Sequence, residues 1–213
     1  MRDFKTPFTA SFLETYQRGA LAYQYKNTPC LKSPLDIAIY LRLLWLEKPR
    51  TLIEIGTKYG GSALLFSDLT RAMGLDCQII SIDINVPAEF DSNNDNVRFI
   101  QGDILKIEEV FDQNQLYELA RPWFVVEDSA HTYSACRHAL AFFSTSLRKG
   151  EMLAIEDGVL TELGLAEKYN GGPSRAIAEF LEQNPNIFDI EIFYCDMFGV
   201  NATYNPNGYL RRK

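Results

Sequence analysis

Two consecutive apolar runs end on paired carboxylates, and a chain can satisfy that pattern in few ways. Trp123-Phe-Val-Val-Glu127-Asp128 leads into Ser129-Ala-His131, and Met152-Leu-Ala-Ile-Glu156-Asp157-Gly158 follows. Four apolar residues that stop on acid read as a buried parallel strand delivering charge at its C-terminal edge. The stretch from Thr132 to Lys149 is long enough for a crossover helix, so the two strands lie side by side. Neighbouring strands are ~4.8 Å apart, which brings the acidic ends to one point. In open α/β sheets that edge is where ligands bind. Convergent carboxylates repel unless a cation, a proton or a basic group compensates them, and a hard divalent metal is the preferred compensation.

The bulk properties narrow the alternatives. A chain of 213 residues, 46% hydrophobic, can bury one substantial core and reads as one domain plus extensions. A net charge of −7 argues against nucleic acid as a partner, because phosphate binding needs a concentrated basic surface. The terminal Arg211-Arg212-Lys213 reads as a solvated tail rather than a binding patch. Four cysteines lie far apart with no CxxC, so no disulfide framework is expected. Residues 1–7 lack the apolar core of a signal peptide, and no apolar run reaches membrane-spanning length. The expectation is a cytoplasmic protein without a membrane or nucleic-acid partner.

Along the chain, residues 7–25 and 34–47 have helical spacing, separated by a Pro-punctuated link in which Ser33 is placed to cap a helix starting at Pro34. Strand-like runs then alternate with helical ones. Strands are expected at 51–55, 78–82, 97–100, 123–127 and 152–155, with helices at 61–73, 105–119 and within 173–183. Two β-like runs, 187–195 and 200–204, are expected to close the sheet as a hairpin, followed by the turn Asn205-Pro-Asn-Gly208. Repeated strand–helix units give a mostly parallel sheet covered on both faces.

Further features fall on the same edge. Glu54-Ile-Gly56-Thr57-Lys-Tyr-Gly60-Gly61-Ser62 is a Gly-rich strand-to-helix turn that exposes helix N-terminal amides. It is not GxGxxG, which disfavours a dinucleotide oxidoreductase. Asp83 ends the second strand, where a carboxylate can accept both hydroxyls of a ribose. Gly102-Asp103 ends the third, where an acceptor can meet an adenine amino group. Together they outline an adenosine-bearing ligand with a positive end, a description that suits S-adenosylmethionine. His131 follows Asp128 by three positions and is placed to take a proton from a substrate hydroxyl. The chain's other histidine, His138, reads as structural, and the absence of a second histidine near the edge disfavours a non-haem iron hydroxylase. A non-catalytic S-adenosylmethionine-binding protein would need no such base.

Pro34-x-Asp36, the Glu54–Ser62 turn, Asp128-Ser-x-His131, Glu156-Asp157-Gly158, Gly172-Pro173-x-x-Ala176 and the closing Asn205-Pro-x-Gly208-Tyr-Leu-Arg-Arg resemble the cephalosporin hydroxylase family from about Tyr25 to the C-terminus. The D-x-x-H and later E-D are also similar to the metal-dependent macrolide-sugar O-methyltransferases. The resemblance implies a class I S-adenosylmethionine methyltransferase fold: a Rossmann-like α/β domain over 49–213 with a seven-stranded, mostly parallel sheet, its last strand antiparallel, and a short helical cap over 1–48. It implies that Asp128, Glu156 and Asp157 hold Mg²⁺, that His131 is the general base, and that the Gly-rich turn, Asp83, Gly102, Asp103 and Asp128 hold the cofactor. The acceptor would be a small molecule bearing a hydroxyl. Which acceptor, and whether the chain forms a homo-oligomer, the sequence leaves open.

Overall fold

The computed structural model describes residues 2–87 and 95–213. Seven strands form one sheet: β1 (Thr51–Ile55), β2 (Gln78–Asp83), β3 (Val97–Gln101), β4 (Trp123–Glu127), β5 (Met152–Ile155), β6 (Phe188–Ile190) and β7 (Tyr209–Arg212). Their order is β3-β2-β1-β4-β5-β7-β6. The first five are parallel, and β7 runs antiparallel to both β5 and β6. The expected seven-stranded sheet with an antiparallel last strand is therefore present.

The strands alternate their side chains between two cores, as a pleat requires. Ile53, Ile80, Val125, Leu153 and Leu210 face one core, with α4 (Ile107–Asn114), α5 (Tyr133–Ser146) and α6 (Gly172–Gln183) packed over them. Leu52, Ile79, Phe124, Ala154 and Tyr209 face the other, covered by α2 (Pro34–Glu47) and α3 (Gly61–Ala72). Strands buried on both faces explain why the sequence shows continuous apolar runs there. At the start of α2 the Ser33 hydroxyl accepts from the Asp36 amide at 3.4 Å, with Pro34 in the first turn as its missing N–H allows. Ile39, Tyr40, Leu43 and Leu44 of α2 share the core of the sheet itself. Ahead of α2 lie α1 (Ala10–Ala22) and a two-stranded hairpin pairing Gln24–Tyr25 with Thr28–Pro29.

Three expectations need correction. The helix expected over 105–119 is interrupted: α4 ends where Gln115 takes a left-handed φ of 56°, and a separate 3₁₀ turn follows at Leu116–Glu118. The closing hairpin also uses other residues. Only Phe188–Ile190 of the first run is strand, while Ile192–Cys195 turns into a short helix, α7. That turn buries Tyr194 and Cys195 and carries the Tyr194 hydroxyl to Glu47 at 2.7 Å. Residues 200–204 pair with no strand and wrap around the buried Asp36 carboxylate, which accepts from the Tyr204 amide (3.0 Å), the Tyr209 hydroxyl (2.8 Å) and the Thr203 hydroxyl. The last strand is Tyr209–Arg212 instead. Arg211 and Arg212 are thus part of the sheet and not a solvated tail: Arg211 pairs with Glu47 and Glu191, and Arg212 donates to the carbonyls of Ser144 and Ile187.

Candidate active site

Strand register builds the site. Ile55 lies opposite Glu127, and Glu127 opposite Ile155, so the three central strands end level. The Asp128 amide donates to the Ile55 carbonyl (2.8 Å) and the Glu156 amide to the Glu127 carbonyl (3.0 Å), which extends the ladder one residue and sets Asp128 beside Glu156. A cavity of about 430 Å³ opens over this edge, running from Asp83 and Asp103 past Gly56 and Thr57 to Asp128 and His131. Ser62, Gly102 and Asp157 also line it.

The two acidic pairs split their tasks. Glu127 is fully buried and turned inward, accepting from the Ser129 amide and hydroxyl, and burial raises its pKa above the usual carboxyl range. Asp128, Asp157 and His131 converge at the surface of the cavity, each offering a ligand atom within 4.8 Å of the others. His131 Nε2 lies 3.4 Å from Asp157 Oδ2, and Nδ1, although buried, lies 3.8 Å from Asp128 Oδ1 with no hydrogen-bond partner among the described residues. Burial alone would lower the imidazole pKa, but Asp157, Asp128 and Glu127 outweigh it and raise the value. Both His131 (φ 54°) and Asp157 (φ 61°) occupy the left-handed region. Such conformations cost non-glycine residues ~1–2 kcal/mol, and they cluster at functional sites.

Glu156, expected beside Asp157 at a metal, does not join that trio. Its Oε1 accepts from Lys32 Nζ at 2.8 Å and from the Tyr40 hydroxyl at 2.5 Å, and burial and Asp128 raise its pKa well above the carboxyl range. Lys32 Nζ also lies 2.5 Å from Asp128 Oδ2 and 3.8 Å from Glu54 Oε1. Burial would lower the lysine pKa, yet Asp128, Glu156 and Glu54 raise it well above the usual value. Neither Lys32 nor Tyr40 was singled out by sequence reasoning. The signal for Lys32 was the charge imbalance itself: convergent carboxylates require compensation, and a basic group was one of the permitted forms.

The expected cofactor residues divide in two. Gly56, Thr57, Ser62, Asp83, Gly102, Asp103 and Asp128 line the cavity. Glu54, Gly60 and Gly61 stand behind its wall: Glu54 is fully buried and accepts from Ser81 at 2.6 Å. The glycines serve close approach of the protein to itself. A Cβ on Gly56 (φ 109°) would meet the Asp128 carbonyl oxygen at 2.1 Å, and one on Gly61 would meet that of Pro29 at 2.2 Å. Asp83 accepts from the amides of Lys58 (2.8 Å) and Asn85 (2.9 Å), which fixes its carboxylate at the cavity rim. His138 pairs with Glu108 at 3.1 Å and stays outside the site.

The sheet order and the cavity over the strand ends are those of the class I methyltransferase fold, and the family match makes the chain an S-adenosylmethionine-dependent O-methyltransferase. Residues 17–213 match the model of the rhamnosyl O-methyltransferase/CmcI family, and the chain belongs to that family. It is 28% identical over 193 residues to the rhamnosyl O-methyltransferase of Mycobacterium leprae (strain TN), covering 86% of this chain and 80% of the relative. Identity to the rhamnosyl O-methyltransferase of Mycobacterium tuberculosis (strain ATCC 25618 / H37Rv) is 26% over 196 residues, covering 88% and 77%. A solved structure of CmcI with Mg and SAM superposes with a TM-score of 0.72 at 29% identity, over 91% of this chain and 77% of that one. The MycE methyltransferase, in complex with Mg, SAH and mycinamycin VI, shares the fold at 23% identity and a TM-score of 0.52, over 68% of this chain and 41% of that one. Among the described residues no helix is long and apolar enough to cross a membrane.

Proposed function

We propose that this chain transfers the methyl group of S-adenosylmethionine to a hydroxyl of a sugar-bearing small molecule, with His131 as the general base. The convergence of Asp128, His131 and Asp157 at the cavity mouth carries the reading. Two carboxylates beside a buried, unpaired imidazole nitrogen suit a hard divalent ion with a base next to it. Asp128 and Asp157 would hold Mg²⁺, which when bound polarises a hydroxyl and lowers its pKa. Glu156, restrained at Oε1 by Lys32 and Tyr40, stands behind them.

His131 accepts the acceptor's hydroxyl proton, and the carboxylates of Asp157 and Asp128 favour the imidazolium that forms. When bound, S-adenosylmethionine would supply the methyl group as an electrophile whose departing sulfur takes back the bonding electron pair, and the residues of the cavity would hold the acceptor oxygen against it. Asp83 and Asp103, which line the cavity, would accept from the ribose hydroxyls and the adenine amino group. The residues ahead of α2 would form the acceptor-side cover, since Leu13 of α1 packs with Tyr204 and with Val159, two residues after Asp157 in the chain.

The test is methyl transfer to a panel of hydroxylated acceptors that includes rhamnosides, followed as S-adenosylhomocysteine release and a methyl mass gain on the acceptor. Transfer to nitrogen or carbon acceptors alone would end the O-methyl reading. Full transfer to a hydroxyl after chelation would remove the metal and leave Asp128 and Asp157 as hydrogen-bond acceptors.

A further inference from the structure

Lys32 has no place in the chemistry above, yet its side chain is only 1% exposed and meets three carboxylates. An ammonium has three protons to donate. Two go to Asp128 Oδ2 at 2.5 Å and Glu156 Oε1 at 2.8 Å. At 3.8 Å on the third side is Glu54 Oε1, a buried oxygen with no hydrogen-bond partner among the described residues, so the lysine compensates it by charge. A buried charge persists only when paired this way.

The lysine is held from both directions along the chain. The Cys30 amide donates to the Tyr23 carbonyl at 2.9 Å behind it, and Ser33 caps α2 immediately after it. Two of its carboxylate partners have other anchors: Tyr40 also holds Glu156 and Ser81 also holds Glu54. Those two are aimed without the lysine, so what Lys32 distinctly adds to them is its charge, while to Asp128 it brings both a hydrogen bond and a charge.

We propose that Lys32 is a resident counter-cation of this centre, neutralising Glu54, Glu156 and one oxygen of Asp128 and thereby weakening the hold of Asp128 and Asp157 on a divalent ion. The inference rests on the metal reading proposed above. A fixed positive charge a few ångströms from a divalent ion repels it by far more than thermal energy even at an effective dielectric constant of ~20. The carboxylates are then satisfied without a metal, and the ion becomes an exchangeable partner of the acceptor rather than a structural element.

The probe is Mn²⁺ binding to the metal-stripped full chain, read from the loss of the free-ion electron paramagnetic resonance signal, with no turnover involved. Lys32→Met, which keeps the side-chain length and drops the charge, should tighten Mn²⁺ about tenfold or more. The melting temperature should then rise steeply with added Mn²⁺, where that of the wild type barely moves. If Lys32→Met does not fold alone, the comparison is made in a Glu156→Gln background, which leaves fewer bare carboxylates; adding Lys32→Met there should again tighten Mn²⁺ about tenfold. Unchanged or weaker Mn²⁺ binding in either pair overturns the proposal and makes the lysine a positioning tether, while the metal reading stands. Binding by Lys32→Met alone, with a silent wild type, supports the counter-cation and retires the native metal. No binding by any form ends both.

Discussion

Gly61→Ala sets two known effects against each other at a position where the structure decides the sign. Gly61 opens α3, and replacing glycine with alanine inside a helix stabilises by up to ~1 kcal/mol. Here, however, the added Cβ would lie 2.2 Å from the Pro29 carbonyl oxygen, 2.7 Å from its carbon and 3.0 Å from Cys30 Cα. These are backbone atoms, so no side chain can swing aside. Overpacking costs ~1–3 kcal/mol, and contacts this short against backbone belong at the upper end. After subtracting the propensity gain, the net loss is about 2 kcal/mol. For a chain of this length each kcal/mol moves Tm by ~2–4 °C, so thermal unfolding should begin about 4–8 °C lower. Relief by a shift of the Pro29–Cys30 segment would also move Lys32, two residues on, so Mn²⁺ binding should change as well. A Gly61→Ala protein with equal or higher Tm would refute the argument that this glycine serves the contact between hairpin and helix.

Other expectations follow from the same geometry. His131→Ala should lower kcat by ~10²–10⁴-fold, the scale of a positioned base, with S-adenosylhomocysteine affinity by calorimetry unchanged within a few-fold; equal losses in both would make the histidine a binding residue. Tyr40→Phe keeps the ring packed edge-on against Phe66 but removes a donor from the buried Glu156. An ordinary hydrogen bond contributes ~0.5–1.5 kcal/mol, so Tm should fall by roughly 1–6 °C, and a change below a degree would refute it. Burial alone would raise the pKa of Glu47, but Arg211 and Tyr194 pull it below its ordinary value of 4.5. A depressed carboxyl stabilises the fold above its unfolded pKa and loses that contribution as pH falls through the folded one. Wild type and Glu47→Gln should therefore differ in Tm at neutral pH and converge as the pH drops below 4.5; a gap that persists at low pH would mean the contact is not electrostatic.

Much of this protein was legible in its sequence because the controlling signals are local. Four-residue apolar runs mark strands buried on both faces, and the residue that ends each run must surface at the sheet edge. That suffices to bring Asp83, Asp103, Asp128, His131 and Asp157 to one cavity. Local signals failed where a distant partner decides the conformation. The 200–204 run has the composition of a strand, but the Asp36 carboxylate, far away in sequence, claims the Tyr204 amide and the Thr203 hydroxyl, and the amides of Asn201, Ala202 and Thr203 turn to Asp196, Gly199 and Asn201 instead of a ladder. Arg211-Arg212-Lys213 looks like a basic tail until Leu210 and Tyr209 enter opposite cores and Arg211 meets Glu47. Two glycines of the turn, Gly56 and Gly61, also answer to distant backbone, pressed against Asp128 and Pro29. Composition could state that the acidic edge needs a compensating positive charge. Only the tertiary fold could choose Lys32 for it, because a charge buried between distant strands is set by which chains meet there, and no residue near Lys32 in the sequence announces those neighbours.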